Sequence, residues 1–184
     1  MSLSQKTSVY FVLLVLGLIP VQEAWANEPV SFRAMAWNIW HGGREDGEQI
    51  GPQRVVDIIE KNRVDIVAMQ ETYGSGEWIS QQLGFHFHPR GTNVSIHSRY
   101  PVLEDISVFE EFKCVGALLD LPGNRKLAFY SIWLPYNKEI WEEGTRDVRD
   151  LETMKYACDA SRKDLEKMWA LIPVSYTHLT LPTM

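Results

Sequence analysis

Cysteine is scarce in this sequence: Cys114 and Cys158 are the only two among 184 residues. One disulfide is the most that can form, and a bridge and two buried free thiols both fit the pattern. Basic charge is also in short supply, with 18 Lys and Arg against 24 Asp and Glu, a net charge of −6. Lys and Arg that neutralise phosphates supply most non-specific nucleic-acid affinity, so this chain is a poor general nucleic-acid binder. Long apolar runs are missing too. The candidate, Val9 to Ile19, is too short for a comfortable bilayer span. Neither an internal repeat nor an interdomain linker interrupts the rest of the chain.

What is present is organised around Phe32 to Glu71. The pattern predicts a strand (Phe32 to Ile39), a polar Gly-rich loop (Trp40 to Gly51), a helix (Pro52 to Lys61) and a second strand (Asp65 to Glu71). Apolar runs bounded by polar residues suit strands buried on both faces, and a strand–helix–strand unit of this length favours a parallel pair. Asn38 and Glu71 then fall side by side at the carboxyl ends of neighbouring strands, the edge where open α/β sheets hold ligands. An ionised Glu71 is a hard oxygen donor suited to Mg²⁺ or Ca²⁺, and Asn38 offers both a donor and an acceptor. The bland alternative is that both residues cap strand ends in solvent. The loop adds His41, Glu45, Asp46 and Glu48 around Gly42, Gly43 and Gly47.

Three segments carry a resemblance. Trp37-Asn38-Ile39-Trp40-His41-Gly42, Asp65-Ile66-Val67-Ala68-Met69-Gln70-Glu71 and Asn93-Val94-Ser95-Ile96-His97-Ser98-Arg99-Tyr100-Pro101-Val102 resemble, in order and spacing, the first motifs of the endonuclease/exonuclease/phosphatase superfamily. The resemblance spans roughly Phe32 to Asn137 and implies a DNase I-like four-layer α/β/β/α sandwich, here truncated to its N-terminal half to two-thirds. It implies a metal-dependent phosphoesterase that uses Mg²⁺, with Mn²⁺ or Ca²⁺ as alternatives. Glu71 is then the metal ligand, and Asn38 belongs to the catalytic phosphate and metal site. His41, Asn93 and Tyr136 are the candidate substrate contacts. The implied partner is a phosphoester, whether small molecule, lipid headgroup or nucleic acid. The acidic balance favours the first two, and no stable protein partner is implied.

Residues 1–26 look like a targeting segment. Lys6 gives a positive start, Val9 to Ile19 an apolar core, and Ala24-Trp25-Ala26 a small-x-small cleavage pattern. The expectation is export, to the periplasm or the outside, with a mature start near Asn27 and no transmembrane segment. Removing Lys6 and Glu23 takes away one charge of each sign, so the balance of −6 is unchanged. One domain with a real core remains.

Further along, the helix from Pro52 is expected to bury Val55, Ile58 and Ile59. A short helix at Glu77 to Leu83 stops at Gly84. Strands are expected at Phe85 to His88, Asn93 to Ser98, Asp105 to Phe112, Val115 to Leu121 and Lys126 to Trp133, with a hairpin turn at Pro122-Gly123-Asn124. A long amphipathic helix, Thr145 to Ile172, would turn Val148, Leu151, Met154, Cys158, Leu165, Met168 and Trp169 to one side. His86 and His88 share a strand face, expected to be exposed opposite buried Phe85 and Phe87. His97 is expected to be structural.

Two departures stand out. In Phe129 to Asn137, similar to the family's fourth motif, Trp133 occupies the slot where a His or Tyr normally acts, and an indole N–H does not titrate in range. The family's later Gly-Asp-x-Asn and Asp-His motifs are absent, and Val174 onward looks like the translation of a sequencing adapter. The reading is therefore an incomplete domain over 27–173 that is inactive as written. Its sheet face bearing Val67, Met69, Val94 and Ile96 is expected to lack cover. A non-catalytic module for carbohydrate or phospholipid headgroups on the same fold is the alternative, drawing on Trp40, Trp78, Trp133 and Trp141.

Overall fold

The computed structural model describes residues 29–135 and 151–173. The leader pattern of 1–26, Tyr136, Trp141, Val148 and the stretch from Val174 onward lie outside the described residues. Two sheets make up the centre of the fold. In the first, β1 (Ala34–Asn38), β2 (Ile66–Gln70), β4 (Val94–Ser98) and β3 (His86–Arg90) lie side by side in that order. β1 and β2 run parallel, with Asn38 opposite Gln70, and the other two pairings are antiparallel. The second sheet is antiparallel, in the order β5 (Val102–Asp105), β6 (Cys114–Leu121), β7 (Arg125–Ile132). Leu121 pairs with Arg125, so Pro122, Gly123 and Asn124 form the hairpin loop. Asn124 there takes φ 56°, a left-handed conformation that Asn tolerates.

The parallel pair forms because α1 (Ile50–Lys61) carries the chain back across the sheet. Pro52 sits in its first turn, where backbone N–H groups have no intrahelical partner to lose. The buried stripe is Pro52, Val55, Val56 and Ile59, spaced at three and four residues. Ile58, expected inside, is 41% exposed, and Val56 takes its place. The helix begins two residues before the expected Pro52, and its contact with the sheet sets the phase. Each such buried aliphatic side chain stabilises by roughly 1.5–3 kcal/mol. α2 (Gly76–Leu83) ends, as expected, on a left-handed Gly84.

Both faces of the central strands β2 and β4 are covered. Val67 and Met69 pack with Val55, Val56, Ile59 and Ile79 of the two helices. Val94 and Ile96 pack against Val115, Ala117 and Leu119 of β6. The expectation that these four would lack cover is therefore corrected: all four are 0% exposed. Alternation sends Val67 and Met69 to the helices and Val94 and Ile96 to the other sheet, so they never shared one face.

Two further expectations change. The strand expected at Asp105 to Phe112 ends at Asp105, and residues 106–112 form an irregular loop. Arg90 explains it: its guanidinium donates to the carbonyls of Val108 (2.7 Å), Cys114 (2.8 Å) and Phe109 (3.1 Å). A fork that collects three carbonyls holds the segment away from a ladder. His88 is half-buried rather than exposed, because its face of β3 meets the second sheet, where Nε2 lies 3.2 Å from the Gly116 carbonyl oxygen. His97 is structural, as expected. It is 0% exposed between the hydroxyls of Ser80 (2.7 Å) and Ser95 (2.8 Å), and burial lowers its pKa to about 3.

The last described helix, α3 (Leu151–Leu171), is tied down by Asp164, whose carboxylate accepts from Lys113 Nζ at 2.7 Å. Of its expected apolar face, Met168 is buried, while Leu165, Trp169 and Cys158 are exposed. Cys114 and Cys158 are both free thiols. Burial pushes the Cys114 thiol up, which keeps it unreactive. No helix among the described residues is long and apolar enough to cross a membrane.

Candidate functional site

β1 and β2 deliver Asn38 and Glu71 to the same sheet edge, and the two side chains touch. Asn38 Nδ2 donates to Glu71 Oε1 at 2.8 Å, and Asn38 Oδ1 accepts from the Trp40 N–H at 2.9 Å. The second carboxylate oxygen, Oε2, takes the His41 N–H at 3.4 Å. A carboxylate held by two N–H groups is fixed in orientation and keeps lone pairs in reserve on both oxygens.

The backbone here is unusual. Trp40 (φ 56°) and His41 (φ 46°) precede Gly42 (φ 73°) and Gly43 (φ 71°), four left-handed residues in a row, and Glu71 itself has φ 57°. Such conformations cost of order 1–3 kcal/mol for each non-glycine residue and persist where the surroundings over-determine them. The surroundings do so here. Gly42 N–H donates to the Glu71 carbonyl at 2.6 Å, and a Cβ on Gly42 would stand 2.7 Å from Ser75 Oγ. Only glycine fits that seam between the two site loops.

Asn93, expected to touch substrate, lies in the interior. It is 0% exposed, its Oδ1 accepts the Glu71 N–H at 3.0 Å, and its Nδ2 donates to the Phe112 carbonyl at 2.8 Å. Both ends of its amide are engaged in holding Glu71 and the loop that follows β5. His41 lies at the rim, its Nδ1 2.8 Å from Glu45 Oε1, and its ring lies near those of Trp40 and Tyr73. Tyr136 lies outside the described residues. Trp133, in the slot where the family's fourth motif has a His or Tyr, packs edge-on against Phe112 at 5.5 Å. The sequence reading missed Arg90, Phe112 and Tyr73, and no local pattern marks them; Glu45 stood there as one of the acidic residues of the Gly-rich loop.

Among the described residues, no group of three or more His, Cys, Asp or Glu side chains gathers. A carboxylate beside an amide is a set of hard oxygen donors, the kind that holds Mg²⁺ or Ca²⁺ together with waters or phosphate oxygens, and Glu71 and Asn38 are the residues here that would hold such an ion.

The endonuclease/exonuclease/phosphatase family model matches residues 35–166. This chain belongs to that family. The two-sheet sandwich with flanking helices is its DNase I-like fold. Among solved structures, the chain is similar to an endonuclease/exonuclease/phosphatase from Beutenbergia cavernae DSM 12333, at 12% identity and TM-score 0.49, covering 74% of this chain and 43% of that one. It is also similar to a humanized D. rerio TDP2 with 14 mutations, at 15% identity and TM-score 0.48, covering 68% and 55% respectively. An AP endonuclease from Archaeoglobus fulgidus matches at 19% identity and TM-score 0.38, covering 59% and 46%. The chain thus spans about half the length of these structures. None of the curated proteins matches it.

Proposed function

We propose that this chain is part of an exported, Mg²⁺-dependent phosphoesterase, with Glu71 as the principal metal ligand. The observation that carries the reading is the 2.8 Å bond between Asn38 and Glu71 at the carboxyl edge of the parallel pair, in a member of a hydrolase family. A bound divalent ion would supply a Lewis acid for the phosphoryl oxygens. The chain's own residues do the positioning: Asn38 and the His41 N–H orient the carboxylate, and Asn93 anchors the backbone behind it. His41 and Glu45 stand at the rim, where a substrate would pass. The 184-residue chain is proposed to lack the groups that activate water, and so to be inactive alone.

The test uses the complete parent protein. Glu71→Gln keeps the shape and removes the charge. Mg²⁺-dependent hydrolysis of bis(p-nitrophenyl) phosphate should fall by at least about 10²-fold, with the far-UV circular dichroism spectrum unchanged. EDTA should abolish wild-type turnover, and added Mg²⁺ should restore it. Unchanged turnover in the variant refutes the assignment. Export rests on the leader pattern of residues 1–26, and mass spectrometry of the secreted parent should find an amino terminus near Asn27. A product that retains the leader counts against it.

A further inference from the structure

On the helix side of the site loops lies a cavity of about 880 Å³, between the first turn of α1 and the start of α2. Neither Asn38 nor Glu71 lines it. Its volume is in the range that holds a small organic ligand.

The lining combines a flat aromatic surface with a planar polar edge. Trp78 of α2, 38% exposed, forms one wall. Gln53 and Asp57, one turn apart on α1, contribute another side, and Gln53 Nε2 donates to Asp57 Oδ1 at 2.8 Å. Ile50 and Pro52 supply apolar surface between them. An indole and a carboxylate–amide pair in one lining offer what a saturated ring bearing hydroxyls needs: aromatic surface for its C–H face and polar groups for its O–H groups.

Charge narrows the class. Arg44 and Arg54 line the cavity together with Glu48 and Asp57, two charges of each sign that cancel. Arg44 donates to the Tyr73 carbonyl at 2.8 Å and lies 3.6 Å from Glu48, while Arg54 is paired with Asp46. With Asp57 also in the wall, nothing favours a phosphate or a carboxylate here. We propose that this cleft binds a neutral polyhydroxylated ring, a sugar or a cyclitol, independently of any metal and of the phosphoesterase reading.

The test is a titration of the full chain, labelled with ¹⁵N at tryptophan, without divalent ions. The chain has seven tryptophans, and the Trp78 indole signal is identified by its loss in Trp78→Phe. Maltose and myo-inositol are the probes, with adenosine as a neutral stacking ring of another class. A saturable millimolar shift of the Trp78 signal with either polyol is expected. A response to maltose alone marks a saccharide, and one to myo-inositol alone marks a headgroup-type cyclitol. Trp78→Ala, followed through the other six indole signals, and Asp57→Asn should each weaken binding by about tenfold. Should Trp78→Ala fail to fold, the exposed Asp57→Asn decides. The proposal is overturned by no shift with either polyol, by tighter binding of adenosine, or by unchanged affinity in Asp57→Asn.

Discussion

At Glu71 the main chain is committed along with the carboxylate. Its N–H is held by Asn93 and its carbonyl by Gly42, so its left-handed backbone is fixed from two sides. Asn38 and Glu71 were legible as a pair because each ends an apolar run and the intervening helix dictates parallel strands. Asn93 was legible only as part of a motif. Its burial depends on Phe112, far along the chain, whose carbonyl no local pattern places. His97 yields a pH effect with a definite sign. Below about pH 6.5 the unfolded chain takes up a proton that the folded chain refuses until about pH 3. The stability it contributes is complete above pH 6.5 and is lost as pH falls through that window. Urea titrations should show a loss of about 2 kcal/mol between pH 6.5 and 5. In His97→Gln that slope should shrink by about one proton, and an identical slope would contradict it.

Among the elements, those with strong local punctuation matched expectation, and those shaped by distant partners did not. α2 with its Gly84 stop, the Pro122-Gly123-Asn124 hairpin and the β1–α1–β2 unit are all written in short-range pattern. The segment from Ile106 to Phe112 reads as a strand, with Val108 and Phe112 suited to one. Arg90 overrides that preference from another sheet. Arg90→Lys keeps the charge but loses the planar fork, so one or two carbonyls are left without a donor. A loss of about 2 kcal/mol in urea denaturation is expected, with new protease cleavage inside 106–112. Retained stability and an uncut loop would show that the loop holds itself. The mixed outcome on α3 has the same origin: spacing gave an apolar side, but only contact decides which of its members are covered.

Across the whole molecule, the two sheets meet directly behind the site. Gln70 Nε2 donates to Ser131 Oγ at 3.0 Å, and Ser131 Oγ donates to the Met69 carbonyl at 3.0 Å. The residue before Glu71 thus reaches across to a strand 61 positions away. The expected lack of cover on the first sheet failed at this scale. Reading a strand as an undivided apolar run hides which residues go to the helices and which to the second sheet.

The bonds that lace the site loops also set its timescale. The N–H groups of Ile39, Gly42, Thr72 and Tyr73 donate to the carbonyls of Gln70, Glu71, Asn93 and Thr92, joining β1, β2 and the turn before β4. None of these can open without separating segments that the fold brings together from far apart. In hydrogen–deuterium exchange the Gly42 amide should therefore survive as long as those in the centre of β2, exchanging only when the whole domain opens. Rapid exchange at Gly42 beside a protected β2 would show the reverse. Slow exchange means that a pair of residues 33 positions apart is held for the lifetime of the native state.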